Sequence, residues 1–443
     1  MTRRKKIAVG VAVAGAATVT GLLGGVLAGS PAPKPAAPVQ QRTVDAAGQI
    51  LAGFSPGDTV SYVQSLESKV AQTPDDGESL ALLGLAYQQR ARETGDPSFY
   101  PLAEKALRQA LAEQGDHELL ATTGLASLAA SRHRFRDALS LARRAVDLSP
   151  DTAAPHGVLG DALVELGRYD EAFNAFDRMA SLKPNIASYA RISYARELLG
   201  LTGRAVEAMK LAVDAGSANA ENASWTLVQL GHLYFHSGRL VEAAREYDLA
   251  LERFPGYVHA EAALGRVEAA RGNYDRAVEL YRRAVERNPL PEFAVGLGDT
   301  LVAAGRDREA REAYDLVDVI QRLLEANGVR TEFDTALYDL DHDRDVAGAL
   351  ARVERAYEDR KSVDAEDVLA WAYYENGRCR EAKEHSLLAL RLGTKDALKL
   401  FHRGMIERCL GHEKAGSAFL ARALDTNPYF SLLYAPVAKE IVG

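Results

Sequence analysis

A chain of 443 residues that is 47% hydrophobic but only 7% aromatic is too long for one compact core, and it lacks the alternating apolar runs and tight Asn-Gly or Asp-Gly turns of a β architecture. The net charge of −8 conceals a split: the first 42 residues hold six basic and no acidic residues, leaving 47 basic against 61 acidic residues in the rest. An acidic body of this size excludes a nucleic-acid binder, which needs a basic footprint.

The chain opens with Arg3, Arg4, Lys5 and Lys6, followed by Ile7–Ala28, 22 residues without a charge. Residues 1–29 are therefore expected to be a signal anchor or a signal peptide. The anchor reading gives a single-pass protein of the cell membrane, held through this N-terminal helix. The alternative is cleavage after Val26-Leu27-Ala28 and a secreted chain. In both cases the basic end marks the cytoplasmic side, so the rest of the chain lies outside the cytoplasm. Residues 30–43 are rich in Pro and Ala and read as an extended linker.

In residues 44–76 the stretch Thr59–Gln72 puts Val60, Val63, Leu66 and Val70 on one helical face, as a lone capping helix would. From there a spaced pattern repeats ten times. The clearest copy is Ala153–Pro184, with Gly160, Leu163, Gly167, Tyr169, Ala172, Phe176, Met179 and Pro184 at positions 8, 11, 15, 17, 20, 24, 27 and 32. Ser224–Pro255 repeats it with Gly231, Gly238, Ala243, Tyr247, Ala250 and Pro255, and Val258–Pro289 with Gly265, Gly272, Ala277, Tyr281, Ala284 and Pro289. A small residue at position 8 admits a second helix, whose aromatic near position 24 fills the gap. Gly at 15 ends the first helix in a left-handed turn, and Pro at 32 stops the second. Copies one to seven occupy residues 77–328, with an insertion at Thr94–Pro101 in the first and an overlong last helix reaching Asn327-Gly328. Copies eight to ten occupy residues 329–428, and residues 429–443 form a closing helix.

This pattern resembles the tetratricopeptide repeat, a helix–turn–helix of about 34 residues. In its Ala/Arg/Gly-rich repeats and its N-terminal signal, the chain is similar to membrane-anchored or exported members of high-GC bacteria. The resemblance implies an all-α, right-handed α-solenoid of about ten repeats with N- and C-terminal capping helices. It also implies a non-catalytic scaffold that holds a protein partner in its concave groove. In that family the groove is lined mainly by a few positions of each first helix, among them the second and the ninth. Carried over, they place Tyr194, Trp225, His232, Phe235, His236, His259, Tyr338, Trp371 and Tyr374 in the partner-binding groove, with His342 alongside. The Lys and Asn cluster of the chaperone-binding carboxylate clamp is missing, so a clamp ligand is not expected. The expected ligand is apolar-aromatic or basic.

Three local patterns bear on chemistry. His232 and His236, spaced i and i+4, with His259 in the next copy, are the only metal candidates. Leu233 stands where a metalloprotease helix needs Glu, and no metal or other cofactor is expected. Asp339, Asp341, Asp343 and Asp345 alternate, but Val346 and Arg352 occupy the Gly and Glu places of a calcium loop counted from Asp341. An acidic turn that caps the next helix is the better reading. Cys379 and Cys409 fall where one second helix begins and the next first helix ends, making them a candidate disulfide in an exported protein. No nucleophile elbow or phosphate-binding loop appears, so no enzyme is expected. The alternative to a scaffold is an extracytoplasmic protein that binds a small ligand or metal ion through groove His and Trp residues.

Overall fold

The computed structural model describes residues 58–113, 117–216 and 220–443. The expected anchor, linker and first part of the N-terminal cap (1–57) lie outside them. Among the described residues there are 22 α-helices and no strand. A lone helix α1 (Asp58–Gln72) is followed by hairpins α2/α3 (Gly77–Thr94, Phe99–Ala112), α4/α5 (Glu118–Ser131, Phe135–Leu148), α6/α7 (Ala153–Glu165, Tyr169–Leu182) and α8/α9 (Ile186–Leu198, Thr202–Ala215). Next come α10/α11 (Ala220–His236, Leu240–Arg253), α12/α13 (Val258–Ala270, Tyr274–Arg287) and α14/α15 (Pro291–Ala303, Asp307–Ala326). The array ends with α16/α17 (Glu332–Asp341, Val346–Ala356), α18/α19 (Val363–Glu375, Cys379–Ala389), α20/α21 (Ala397–Cys409, Glu413–Thr426) and the closing α22 (Tyr434–Val442). Each helix packs on its hairpin partner and on the next hairpin, the arrangement of an α-solenoid.

The spacing of the sequence translates directly into this packing. A Cβ added at Gly160 would lie 2.3 Å from the Phe176 ring, so the aromatic of one helix occupies the space that the glycine of the other leaves. The same holds at Gly231 against Tyr247 and at Gly298 against Tyr314, each at 2.3 Å. The second helices carry the amphipathic pattern. In α7, Tyr169, Ala172, Ala175, Phe176 and Met179 are buried. The first helix α6 is instead buried on almost every face, because it is covered on both sides. The long α15 ends at Ala326, as the pattern predicts, and Asp345 caps α17 by accepting from the Gly348 N–H at 3.1 Å. Cys379 and Cys409 are joined by a disulfide, with a Cα–Cα distance of 6.1 Å, tying the start of α19 to the end of α20.

The solenoid coils far enough to meet itself. The turns inside the first five hairpins lie against the connections that follow hairpins six to ten. His133 Nδ1 lies 2.7 Å from the Arg330 carbonyl, and the Arg330 N–H donates to the Arg132 carbonyl at 3.2 Å. Arg360 Nε donates to Glu165 Oε2 at 2.7 Å, and the Lys361 N–H donates to the Glu165 carbonyl at 2.9 Å. Tyr169 Oη accepts the Val363 N–H at 2.6 Å, and Asn427 Nδ2 donates to the Phe235 carbonyl at 3.0 Å. Gly200, at φ 69°, lets the Gly393 carbonyl come within 2.2 Å of where a Cβ would sit. His133 holds the corresponding left-handed place at φ 56° without being glycine. The partners along this seam are 192 to 198 residues apart, close to six 34-residue repeats. The connection that follows the seventh hairpin thus meets the turn of the second through the Arg330 contacts.

Candidate functional site

Closure of the solenoid turns its concave groove into an internal channel. The first helices α2, α8, α10, α12 and α14 wall one turn, and α16, α20 and the connections at 360–364 and 427–432 complete it. The cavity measures about 1180 Å³. Arg92 at the end of α2 reaches Glu221 Oε2 at 2.5 Å and Asn222 Oδ1 at 2.7 Å, joining the first hairpin to the fifth.

Seven of the nine expected groove residues line this channel: Tyr194, Trp225, His232, Phe235, His236, His259 and Tyr338. Trp225 is half-buried in the α10 wall. His232 Nδ1 lies 2.9 Å from Tyr247 Oη, and its ring stacks on that of His236 with centroids 6.1 Å apart. Burial, helped by the neighbouring His236 and Arg266, holds the His232 imidazole well below the usual histidine range. His236 Nδ1 lies 3.1 Å from Glu197 Oε1. His259 sits between Tyr257 and Phe293, at 5.2 and 5.4 Å between centroids, and burial with the nearby Arg92 charge pushes it down to about 4. His232 and His259 are therefore neutral at neutral pH. Phe235 is buried, and the Arg266 guanidinium lies 4.0 Å from its ring centroid. Tyr338 is buried, with its Oη bonded to Arg344 at 2.6 Å.

Trp371 and Tyr374 depart from the expected open groove. Trp371 is 2% exposed, because α22 folds over it. Tyr374 and His402 stack on the two sides of the indole at 4.6 and 4.1 Å, and Tyr434 meets it edge-on at 5.6 Å. The indole N–H donates to Asp341 Oδ1 at 2.9 Å, which also accepts from Tyr434 Oη at 2.7 Å. His342 likewise turns inward, its Nε2 3.1 Å from Asp299 Oδ1. The three metal candidates stay on the channel wall, with Nδ1 of His232 engaged by Tyr247 and Nδ1 of His236 by Glu197. Among the described residues, no group of three or more His, Cys, Asp or Glu side chains is placed to hold a metal ion.

Two charged residues of the wall escaped the sequence reading, which gathered aromatics and histidines. Arg266 occupies position 9 of its repeat, as His232 does, and Glu292 occupies position 2, as Trp225 does. The positional rule reaches both. Glu292 is exposed where it lines the channel wall.

Tetratricopeptide-repeat family models match the chain at residues 123–187 and 262–321, and a second such model at 222–289. Tetratricopeptide repeat protein 14 of Mus musculus is 37% identical over 97 residues, 21% of this chain and 13% of that protein. Cellulose synthase operon protein C of Pseudomonas fluorescens (strain SBW25) is 28% identical over 203 residues, 42% of this chain and 15% of that protein. The match thus spans a small part of either relative. Among solved structures, the APC/C hetero-tetramer Cut9-Hcn1 is similar at 14% identity over 91% of this chain and 83% of that one, with a TM-score of 0.41. PilW, a type IV pilus biogenesis factor, is similar at 15% identity over 48% of this chain and 99% of that one, with a TM-score of 0.39.

Proposed function

From a solenoid built of tetratricopeptide repeats, which generally mediate protein–protein interaction, we propose that this chain is a non-catalytic scaffold that receives a segment of a protein partner in its axial channel. The observation that carries the reading is the convergence of Trp225, His232, His236 and His259 on one internal space. Aromatic and imidazole side chains offer large contact area at small entropy cost. A cavity of about 1180 Å³ is of a size to hold a short peptide segment.

The scaffold belongs to the cell envelope in this reading, anchored by Ile7–Ala28 or secreted after its removal. The basic N-terminus and the Cys379–Cys409 disulfide support that placement, since such bonds persist in oxidising compartments. A small organic ligand in place of a protein segment is the second reading, favoured by the volume of the cavity.

A photocrosslinking amino acid at position 225, inside the channel, and another at Val241, 73% exposed on α11, test the first reading in source-organism cells. A protein captured from 225 and not from 241 is the expected result. Capture from 241 alone would move the partner to the outer surface, and capture from neither position would remove the scaffold reading.

A further inference from the structure

Position 9 of the repeat carries a charged side chain in three first helices, and these three have different fates. In α6, Asp161 is gripped by Arg191, with Nε and Nη2 at 2.9 and 2.6 Å. In α14, Asp299 accepts from Tyr314 Oη at 2.7 Å and lies 3.1 Å from His342 Nε2. In α12, Arg266 makes no hydrogen bond or ion pair with any described residue; its guanidinium lies over the Phe235 ring. Asp396, whose charge acts on Arg266, is committed elsewhere: its Oδ2 takes Lys399 Nζ at 2.7 Å and its Oδ1 takes the Leu398 and Lys399 N–H groups that begin α20. Of the other cations that line the cavity, Arg92 is held by Glu221 and Lys399 by Asp364 and Asp396, whereas Lys395 and Arg422 line it as well and neither lies over the Phe235 ring. His232 and His236 stand on the α10 side of this guanidinium and His259 on its own helix.

We propose that Arg266 is the anchor for a carboxylate carried by the segment that enters the channel, with an apolar or aromatic side chain of the same segment packing beside Trp225. This rests on the channel reading above and names the chemistry of its occupant. A guanidinium stacked on an aromatic ring keeps its in-plane N–H groups free, and two of them match the two oxygens of a carboxylate. A low-dielectric wall with neutral imidazoles strengthens that contact relative to water. The expected preference thus differs from the apolar-aromatic or basic ligand that the aromatics alone imply.

The probe is N-acetylphenylalanine, titrated into the purified chain and followed by tryptophan emission, which reports on Trp225 because Trp371 is shielded. Its amide is the control, and N-acetyl-aspartyl-phenylalanine amide separates a side-chain carboxylate from a terminal one. Either acid should bind at least tenfold more tightly than the amide. Arg266→Gln should abolish that preference while Arg266→Lys keeps part of it, with unchanged circular dichroism in both. Equal binding of acid and amide, or an unchanged preference in Arg266→Gln, would overturn the proposal. Crosslinking from position 225 keeps the two readings apart. Equal capture of one partner by wild type and Arg266→Gln retains the scaffold and discards the anchor. No capture together with Arg266-dependent acid binding retains the anchor and replaces the scaffold with small-ligand binding.

Discussion

In the fifth and sixth hairpins, α10 and α12 turn Trp225, His232, His259 and Arg266 toward the channel, half-buried and within reach of a ligand. In the ninth and tenth, α18 and α20 present Trp371 and His402 from the equivalent face, yet these side chains are 2% and 0% exposed. The repeat frame is the same; the neighbour differs. The first wall faces a space enclosed by a distant turn of the same solenoid, and the second lies under Tyr434 of the closing helix. Repeat position decides which way a side chain points, and the next layer decides whether anything else can touch it. A terminal helix that protects the last apolar face thereby also consumes part of the groove.

The largest expected effect comes from removing what encloses the first wall. Arg360 and Glu165 are an almost fully buried pair on the seam, with side chains 9% and 6% exposed. Arg360→Ala leaves Glu165 buried and unpaired and should cost about 3–5 kcal/mol. Urea unfolding with small-angle scattering is the measurement: a lower midpoint with a larger radius of gyration is expected, and an unchanged scattering profile would mean that the seam does not hold the two turns together. Next in size is Tyr434→Ala, which should open the second wall at a cost of about 2–3 kcal/mol. Acrylamide quenching reads it directly, since Trp371 should change from protected to accessible; continued protection would show that α22 is not its cover.

The smallest effect sharpens the comparison through pH. Burial pushes the Asp341 carboxyl up to about 6, although His402, Tyr434 and Trp371 pull in the opposite direction. The folded chain thus holds this proton more tightly than the unfolded chain, whose Asp titrates near 3.9. That contribution to stability is fully present below about pH 4 and is lost as pH rises through 6. Relative to Asp341→Asn, the wild type should gain roughly 2 kcal/mol between pH 7 and pH 4. Parallel curves for the two proteins in denaturation across that range would refute the assignment.

The hairpin frame was legible because glycine, alanine and an aromatic at fixed offsets encode close helix packing locally. Gly160 with Phe176, and Gly231 with Tyr247, follow from that code alone. The inward residues of α10 and α12 were legible too, since a repeat position fixes a face. The seam was not: it joins residues 192 to 198 apart through backbone groups and single side chains that carry no periodic signal. For the same reason the cover on Trp371 was invisible, because Tyr434 reads as an ordinary residue of a short terminal helix. Arg266 was overlooked for another cause. One arginine on a helix normally means solvent, and only the lack of a hydrogen-bonded or ion-paired partner among the described residues, beside a cavity, gives it a different meaning.

The seam also constrains how such a chain can change. In an open array each unit interacts only with its neighbours, so units can be duplicated or lost with little effect beyond the break. Here the turn inside one hairpin must meet the connection between two others almost six units further on, at Glu165 with Arg360 and Phe235 with Asn427. Deleting one whole unit between them would shift every later pairing by one place. Stacked like the threads of a screw, the protein has a fixed pitch, and its length is a property of the whole and no longer a sum of parts.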